Sequence, residues 1–177
     1  MPDPVLPDVA ALGRLNRLPE LEARQALARC CGAARWVSAM LAARPFESVG
    51  SLLSEADAIW SGLQPSDYLE AFAHHPEIGA DLNELRRKFA GTADLSQSEQ
   101  AGASSASETT LVALREHNRA YRERFGYAFI VCATGKSADE MLTNLQQRLA
   151  RAPELELVTA AAEQAKITRL RLEKLCS

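Results

Sequence analysis

Two short polar clusters carry the residue types that proton-transfer chemistry requires. His74-His75-Pro76-Glu77-Ile78-Gly79 offers imidazole and carboxylate, and Ser96-Gln97-Ser98-Glu99-Gln100 offers hydroxyl, carboxylate and carboxamide. Brought face to face, they form a pocket that can hold a polar molecule and move a proton without metal or cofactor. A proline disfavours helical backbone in the residue before it, so His75 is expected in extended conformation at a helix end, its side chain pointing out of a bend. Each cluster also has a plainer reading. Ser96-x-x-Glu99 is a capping box, in which hydroxyl and carboxylate satisfy two orphan amides at a helix start. His74-His75 is a poor metal pair, because adjacent side chains diverge and no carboxylate or cysteine cluster lies at ligand spacing. His117, in mid-helix beside Asn118, reads as structural or solvated.

The elements that must position these clusters are helical. Ala, Leu, Glu, Arg and Gln are abundant and aromatics are only 6%, a composition of residues that lose little on entering a helix. At 177 residues and 47% hydrophobic content the chain can bury one sizeable core, so one domain is expected. A net charge of -3, from 20 basic and 23 acidic residues, exerts no general pull on nucleic acid or anionic membrane and favours a small-molecule partner. Arg119 to Arg124 is interrupted by Glu123 and has no aromatic platform, and so reads as a solvated helix face. No apolar run approaches the roughly 20 residues that span a bilayer. Cys30, Cys31, Cys132 and Cys176 show no Cys-x-x-Cys spacing and no secretory leader precedes them, which implies reduced thiols in a cytoplasmic protein. Within an Ala-rich helix, Cys30-Cys31 behaves as a pair of small hydrophobes.

Apolar spacing, caps and breakers divide the chain. Residues 1–8 form an irregular arm. Pro19 opens a helix whose apolar positions run from Leu21 to Ala43 and stop at Arg44-Pro45. A second helical stretch develops from Phe46 to Leu53 and continues through Trp60, and Pro65-Ser66 opens a short one from Asp67 to Ala73. Ile78, Leu82, Leu85 and Phe89 mark the next, closed by Gly91, after which Ser96 begins a new element. Leu111, Leu114, Asn118, Tyr121 and Phe125 share one stripe between Ser107 and Gly126, with Asn118 breaking the apolar pattern. Tyr127 to Ala133 is β-prone but has no second strand to pair with, and is read as an extended connector. Helices follow over Ala138–Arg151 and Leu155–Cys176, where Arg169 and Arg171 both interrupt apolar faces and periodicity does not choose between them. The fold class is all-α: a single-domain helical bundle over residues 1–177 with irregular connecting segments.

The order of these motifs is more specific than any one of them. His75-Pro76-Glu77-Ile78-Gly79, then Ser96-x-x-Glu99-Gln100, then Asn118-x-x-Tyr121-x-x-Arg124-Phe125-Gly126-Tyr127-Ala128-Phe129-Ile130 closely resembles the OHCU decarboxylases of purine catabolism. The resemblance extends to Leu15-Asn16, Trp36, Arg44-Pro45-Phe46 and Lys166-Ile167-x-x-Leu170-Arg171-Leu172, and so covers nearly the whole chain. Two departures stand out: Ala128 replaces a proline usual in the family, and the segment from His75 to Ser96 is longer than in animal members.

The resemblance implies cofactor-independent decarboxylation of 2-oxo-4-hydroxy-4-carboxy-5-ureidoimidazoline (OHCU) to S-allantoin in urate breakdown. The substrate's own ring C=N accepts the electrons released with carbon dioxide, which is why neither metal nor organic cofactor is required. By the same resemblance His75 is the acid/base and Glu99 the catalytic partner that orients or tunes it. Pro76, Ser96, Gln97, Ser98 and Gln100 contact the substrate, the main chain of Phe129, Ile130, Val131, Cys132 and Ala133 lies against it, and the Leu170-Arg171-Leu172 pattern favours Arg171 over Arg169 for its carboxylate. A homodimer is likewise implied, with no nucleic-acid or membrane partner. Two competing readings are a non-catalytic helical module that binds protein, with these residues lying apart, and a decarboxylase of a related ureide.

Overall fold

A computed structural model describes residues 7–76, 81–96 and 107–177. The described residues form helices α1 (Pro7–Arg17), α2 (Glu20–Cys30), α3 (Ala34–Ala42), α4 (Val49–Ser61), α5 (Pro65–Ala73), α6 (Leu82–Ser96), α7 (Glu108–Phe125), α8 (Ala138–Leu149) and α9 (Pro153–Leu175), and no strand. The all-α expectation is met. Two compact units contain them, residues 1–74 with 161–177, and residues 75–160.

In the first unit α3 packs against α2, α4 and α5, and α1 packs against α4. Trp36, Met40, Leu27, Leu52, Phe72 and Leu172 are fully buried. The two tryptophans bury their rings and still satisfy their indole N–H groups, Trp36 donating to the Ala56 carbonyl at 3.2 Å and Trp60 to that of Ala161 at 3.0 Å. The early motif residues pin α1. Asn16 exchanges two 2.9 Å hydrogen bonds with the main chain of Phe46, and Arg44 donates at 3.0 Å to the Leu15 and Leu18 carbonyls where α1 ends. Those carbonyls have no partner within the helix, so a cation there both bonds them and meets the negative end of the helix dipole.

In the second unit α7 packs on α8 and α6. Leu85, Phe89, Leu111, Leu114, Tyr121, Phe129, Val131, Met141 and Leu145 form its core. The ends of α7 and α8 follow from sequence. Ser107 caps α7 by accepting from the Thr110 amide at 3.1 Å, Ser137 and Glu140 form a capping box on α8, and Gly126 ends α7 at φ 81.

Four boundary expectations are corrected. Of the irregular arm assigned to residues 1–8, residues 7 and 8 are helical, in α1, and residues 1–6 lie outside the described residues. The single helix over Leu21–Ala43 is two helices, broken where Cys31 turns extended (φ -148, ψ 127) before Gly32. Gly91 does not close its helix, because an isolated glycine costs only about 1 kcal/mol inside one, and α6 continues to Ser96. Ser96 therefore lies within α6 instead of beginning a new element, and the Ser96-x-x-Glu99 capping box falls on residues outside the described ones.

Candidate active site

His75 is reached through the end of α5. Pro65 and a Gln64–Asp67 capping box start this helix, and His74 is its C-cap residue at φ -83, ψ -4. His75 follows half-buried in a bend, and Pro76 is exposed. Within the first unit, the end of α5 is fastened to the break between α2 and α3. Glu70 accepts from the Ala34 amide at 3.2 Å, supplying a carboxylate to an orphan donor at the start of α3, and Asp67 lies 3.6 Å from Arg35. The imidazole of His74 rests on Gly32 so closely that a Cβ there would collide with the ring. His74 is exposed overall and seats its ring on Gly32.

Arg171 comes to the same break from α9. Its guanidinium lies 3.4 Å from the Arg29 carbonyl and 3.5 Å from that of Cys30, at the C-terminal end of α2. Those contacts are long, and no carboxylate among the described residues forms an ion pair with Arg171. Arg169 is differently used, paired with Asp57 at 3.2 Å and Glu173 at 3.5 Å. The two arginines that periodicity left equivalent are separated by their partners. Beneath Arg171, Cys30 and Cys31 are buried, and burial pushes both thiols up to about 11 against the opposing pull of Arg171. They are neutral at physiological pH, in keeping with their reading as small hydrophobes.

The connector of the second unit, residues 127–133, contains no strand or helix. Phe129, Ile130 and Val131 are buried at 8%, 2% and 4% exposure, main chain included. Its carbonyls are partly spoken for. Ile130 accepts from Arg148 at 2.6 Å, Cys132 from the Lys136 ammonium at 2.8 Å, and Ala133 from the Lys136 amide at 3.1 Å. Asn118 donates to the Leu114 carbonyl at 2.8 Å and, with Leu85, Phe89, Leu114, Phe129, Val131 and Met141, lines a cavity of about 10 Å³, room for no more than a water.

Ser96 is the last described residue in α6, while Gln97, Ser98, Glu99 and Gln100, like Glu77, Ile78 and Gly79, lie outside the described residues. One set of residues escaped the sequence reading. Arg148 and Glu156 are buried at 3% and 0% exposure and paired at 2.5 Å, and the Tyr121 hydroxyl donates to the same carboxylate at 2.5 Å. Burial, with the Glu156 hydrogen bond behind it, raises the Tyr121 phenol, so it stays protonated and donates. A signal was present: Arg148 continues the stripe of Met141 and Leu145, where a charge needs a buried partner.

Comparison with known proteins places this architecture. A family model described as OHCU decarboxylase matches residues 16–173. The uric acid degradation bifunctional protein TTL of Arabidopsis thaliana is 37% identical over 149 residues, which are 84% of this chain and 45% of that protein. This chain accordingly spans less than half the length of the plant relative. The 2-oxo-4-hydroxy-4-carboxy-5-ureidoimidazoline decarboxylase of Haloferax volcanii is 27% identical over 164 residues, 91% of this chain and 93% of its own length. A crystal structure of OHCU decarboxylase in the presence of (S)-allantoin shares the fold at a TM-score of 0.67 with 34% identity, covering 84% of this chain and 94% of that one. With the match running through both compact units, the chain belongs to the OHCU decarboxylase family.

Proposed function

We propose that this chain decarboxylates OHCU to S-allantoin, with no cofactor, as a step of urate breakdown. The observation that carries the reading is similarity along nearly the whole chain to proteins bearing that activity in their names. In the reaction, the bond between the ring carbon and its carboxylate breaks, carbon dioxide leaves, and the electron pair passes through a new C=C bond onto the nitrogen of the ring C=N, which takes up a proton. The resulting enol loses its hydroxyl proton while the neighbouring ring carbon gains one on a single face. The protein's tasks are to hold the carboxylate, exclude water and deliver that proton.

His75 is the acid/base: imidazole is the side chain whose ordinary range lies nearest neutral pH, and Pro76 restricts its backbone. Glu99 orients it. Ser96, Gln97, Ser98 and Gln100 hydrogen-bond the hydroxyl, ureido and ring amides, since a planar polar substrate needs donors and acceptors together. Phe129 to Ala133 contribute main-chain groups, and Arg171 binds the carboxylate. Two features of the described residues support these roles: Arg171 has no carboxylate partner, and it meets the α2–α3 break on which the neighbour of His75 is seated.

The test generates the substrate in place by hydrolysing 5-hydroxyisourate and follows circular dichroism. Dextrorotatory allantoin should appear faster with the protein than without it; a spontaneous rate with racemic product refutes the reading. His75→Asn should lower the rate by about 10²–10⁴-fold, the usual worth of a general acid/base, while far-ultraviolet dichroism keeps its helical shape.

A further inference from the structure

We infer that Arg148, Glu156 and Tyr121 form a buried clamp that positions the connector's backbone for the substrate, making them positioning residues for the decarboxylation. The inference rests on the reading that main-chain groups of residues 129–133 meet the ligand.

The connector needs such a device. It joins α7 to α8, among the described residues no strand lies beside it to fix its peptide planes, and a peptide plane that can rotate presents no defined donor. Arg148 removes that freedom. One arm of its guanidinium donates to the Ile130 carbonyl at 2.6 Å, while its Nε is held by Glu156 at 2.7 Å. The cation also lies over the Phe129 ring, 4.5 Å from its centroid. The residues either side of one peptide bond are thus gripped from one group. In a trans peptide the C=O and the following N–H point in opposite directions, so fixing the Ile130 carbonyl toward Arg148 turns the Val131 N–H away from it. Among the described residues that N–H donates to no acceptor. Tyr121 braces the far side. Its hydroxyl holds Glu156, and its ring packs edge-on against Phe129 and Tyr127, with centroids 5.2 and 5.9 Å away.

Stability alone does not call for this arrangement. A buried ion pair must be stripped of water, and well-packed apolar residues in its place are often neutral or favourable to folding. What apolar residues cannot supply is a planar fork that bonds a carboxylate and a carbonyl together. Lysine keeps the charge opposite Glu156 but not the fork, so Arg148→Lys separates charge neutralisation from positioning.

The expected result is a folded Arg148→Lys protein whose kcat/KM falls at least tenfold, with a racemic fraction in the product and displaced amide signals for residues 129–133 in a 1H–15N spectrum. A folded Arg148→Lys protein within twofold of the wild type in kcat/KM overturns the clamp. If that variant does not fold, Tyr121→Phe is read instead: a three- to tenfold fall supports the clamp, and a change below 1.5-fold overturns it. Should the wild-type chain fail to turn over OHCU, the decarboxylase reading falls by itself, and the spectrum decides the clamp. Displaced or broadened 129–133 amides in Arg148→Lys then support it, and unmoved signals overturn it.

Discussion

Arg169 and Arg171 have the same side chain on the same helix and opposite circumstances. Arg169 is held by Asp57 and Glu173, whereas Arg171 leans on backbone carbonyls through contacts of 3.4 and 3.5 Å that a substrate carboxylate can outcompete. Replacing Arg171 with Gln should raise KM by about tenfold or more, the worth of a hydrogen bond to a charged group, while Arg169→Gln should leave turnover nearly unchanged; steady-state kinetics of the two variants checks this. The cysteines make a second prediction. Burial raises the Cys30 and Cys31 thiols from 9.0 to about 11, so between those values the unfolded chain sheds these protons while the folded one retains them. Their contribution to stability is therefore complete below pH 9 and is lost as pH rises through 11, and melting temperature should fall across that window. Replacing both cysteines with Ala should flatten the fall. A thiol reagent at neutral pH should modify them slowly in the folded protein and fast after denaturation.

At the scale of elements, the α2–α3 break decides where the neighbourhood of His75 is anchored. Gly32→Ala puts a methyl group into the His74 ring and displaces the bend that leads to His75. It should cost activity by about tenfold or more, as misplacement of reacting groups does, and kinetics set beside a melting curve separates that loss from unfolding. Gly126 makes a different prediction. It ends α7 at φ 81 with open space around its Cα, so an added methyl meets nothing and only backbone strain counts. Gly126→Ala should destabilise by about 1–2 kcal/mol, visible as a lower melting temperature. Helix starts were readable from sequence because caps are local chemistry: Ser107, Ser137 and Pro65 stand where such residues satisfy or do without orphan amides. Helix ends were less readable. Gly32 and Gly91 carry the same local signal, yet one stands at a break, with the His74 ring where a side chain would be, and the other lies inside α6.

For the molecule as a whole, the C-terminal part of α9 belongs to the unit built from α1 to α5. Leu172 is fully buried there, and the Ala161 carbonyl satisfies Trp60 across 101 positions of sequence. Leu172→Ala should destabilise by about 2–5 kcal/mol, the cost of a lost side chain plus its cavity, read as a lower denaturant midpoint with unchanged slope. Sequence alone determined the all-helical class, most of the helices and the ordered motifs from His75 to Arg171, since helical periodicity, caps and motif order are properties of neighbouring residues. It also marked Tyr127–Ala133 as a connector lacking a strand partner. Only the tertiary structure decided what depends on groups far apart in the chain: which arginine of α9 is already paired, that the His74 ring fills the place of a side chain at Gly32, and that Arg148 on α8 meets Glu156 on α9 over the Ile130 carbonyl. A charge on an apolar stripe announces that it needs a partner, but the partner's identity is set by how helices pack, and packing distance is not written in spacing.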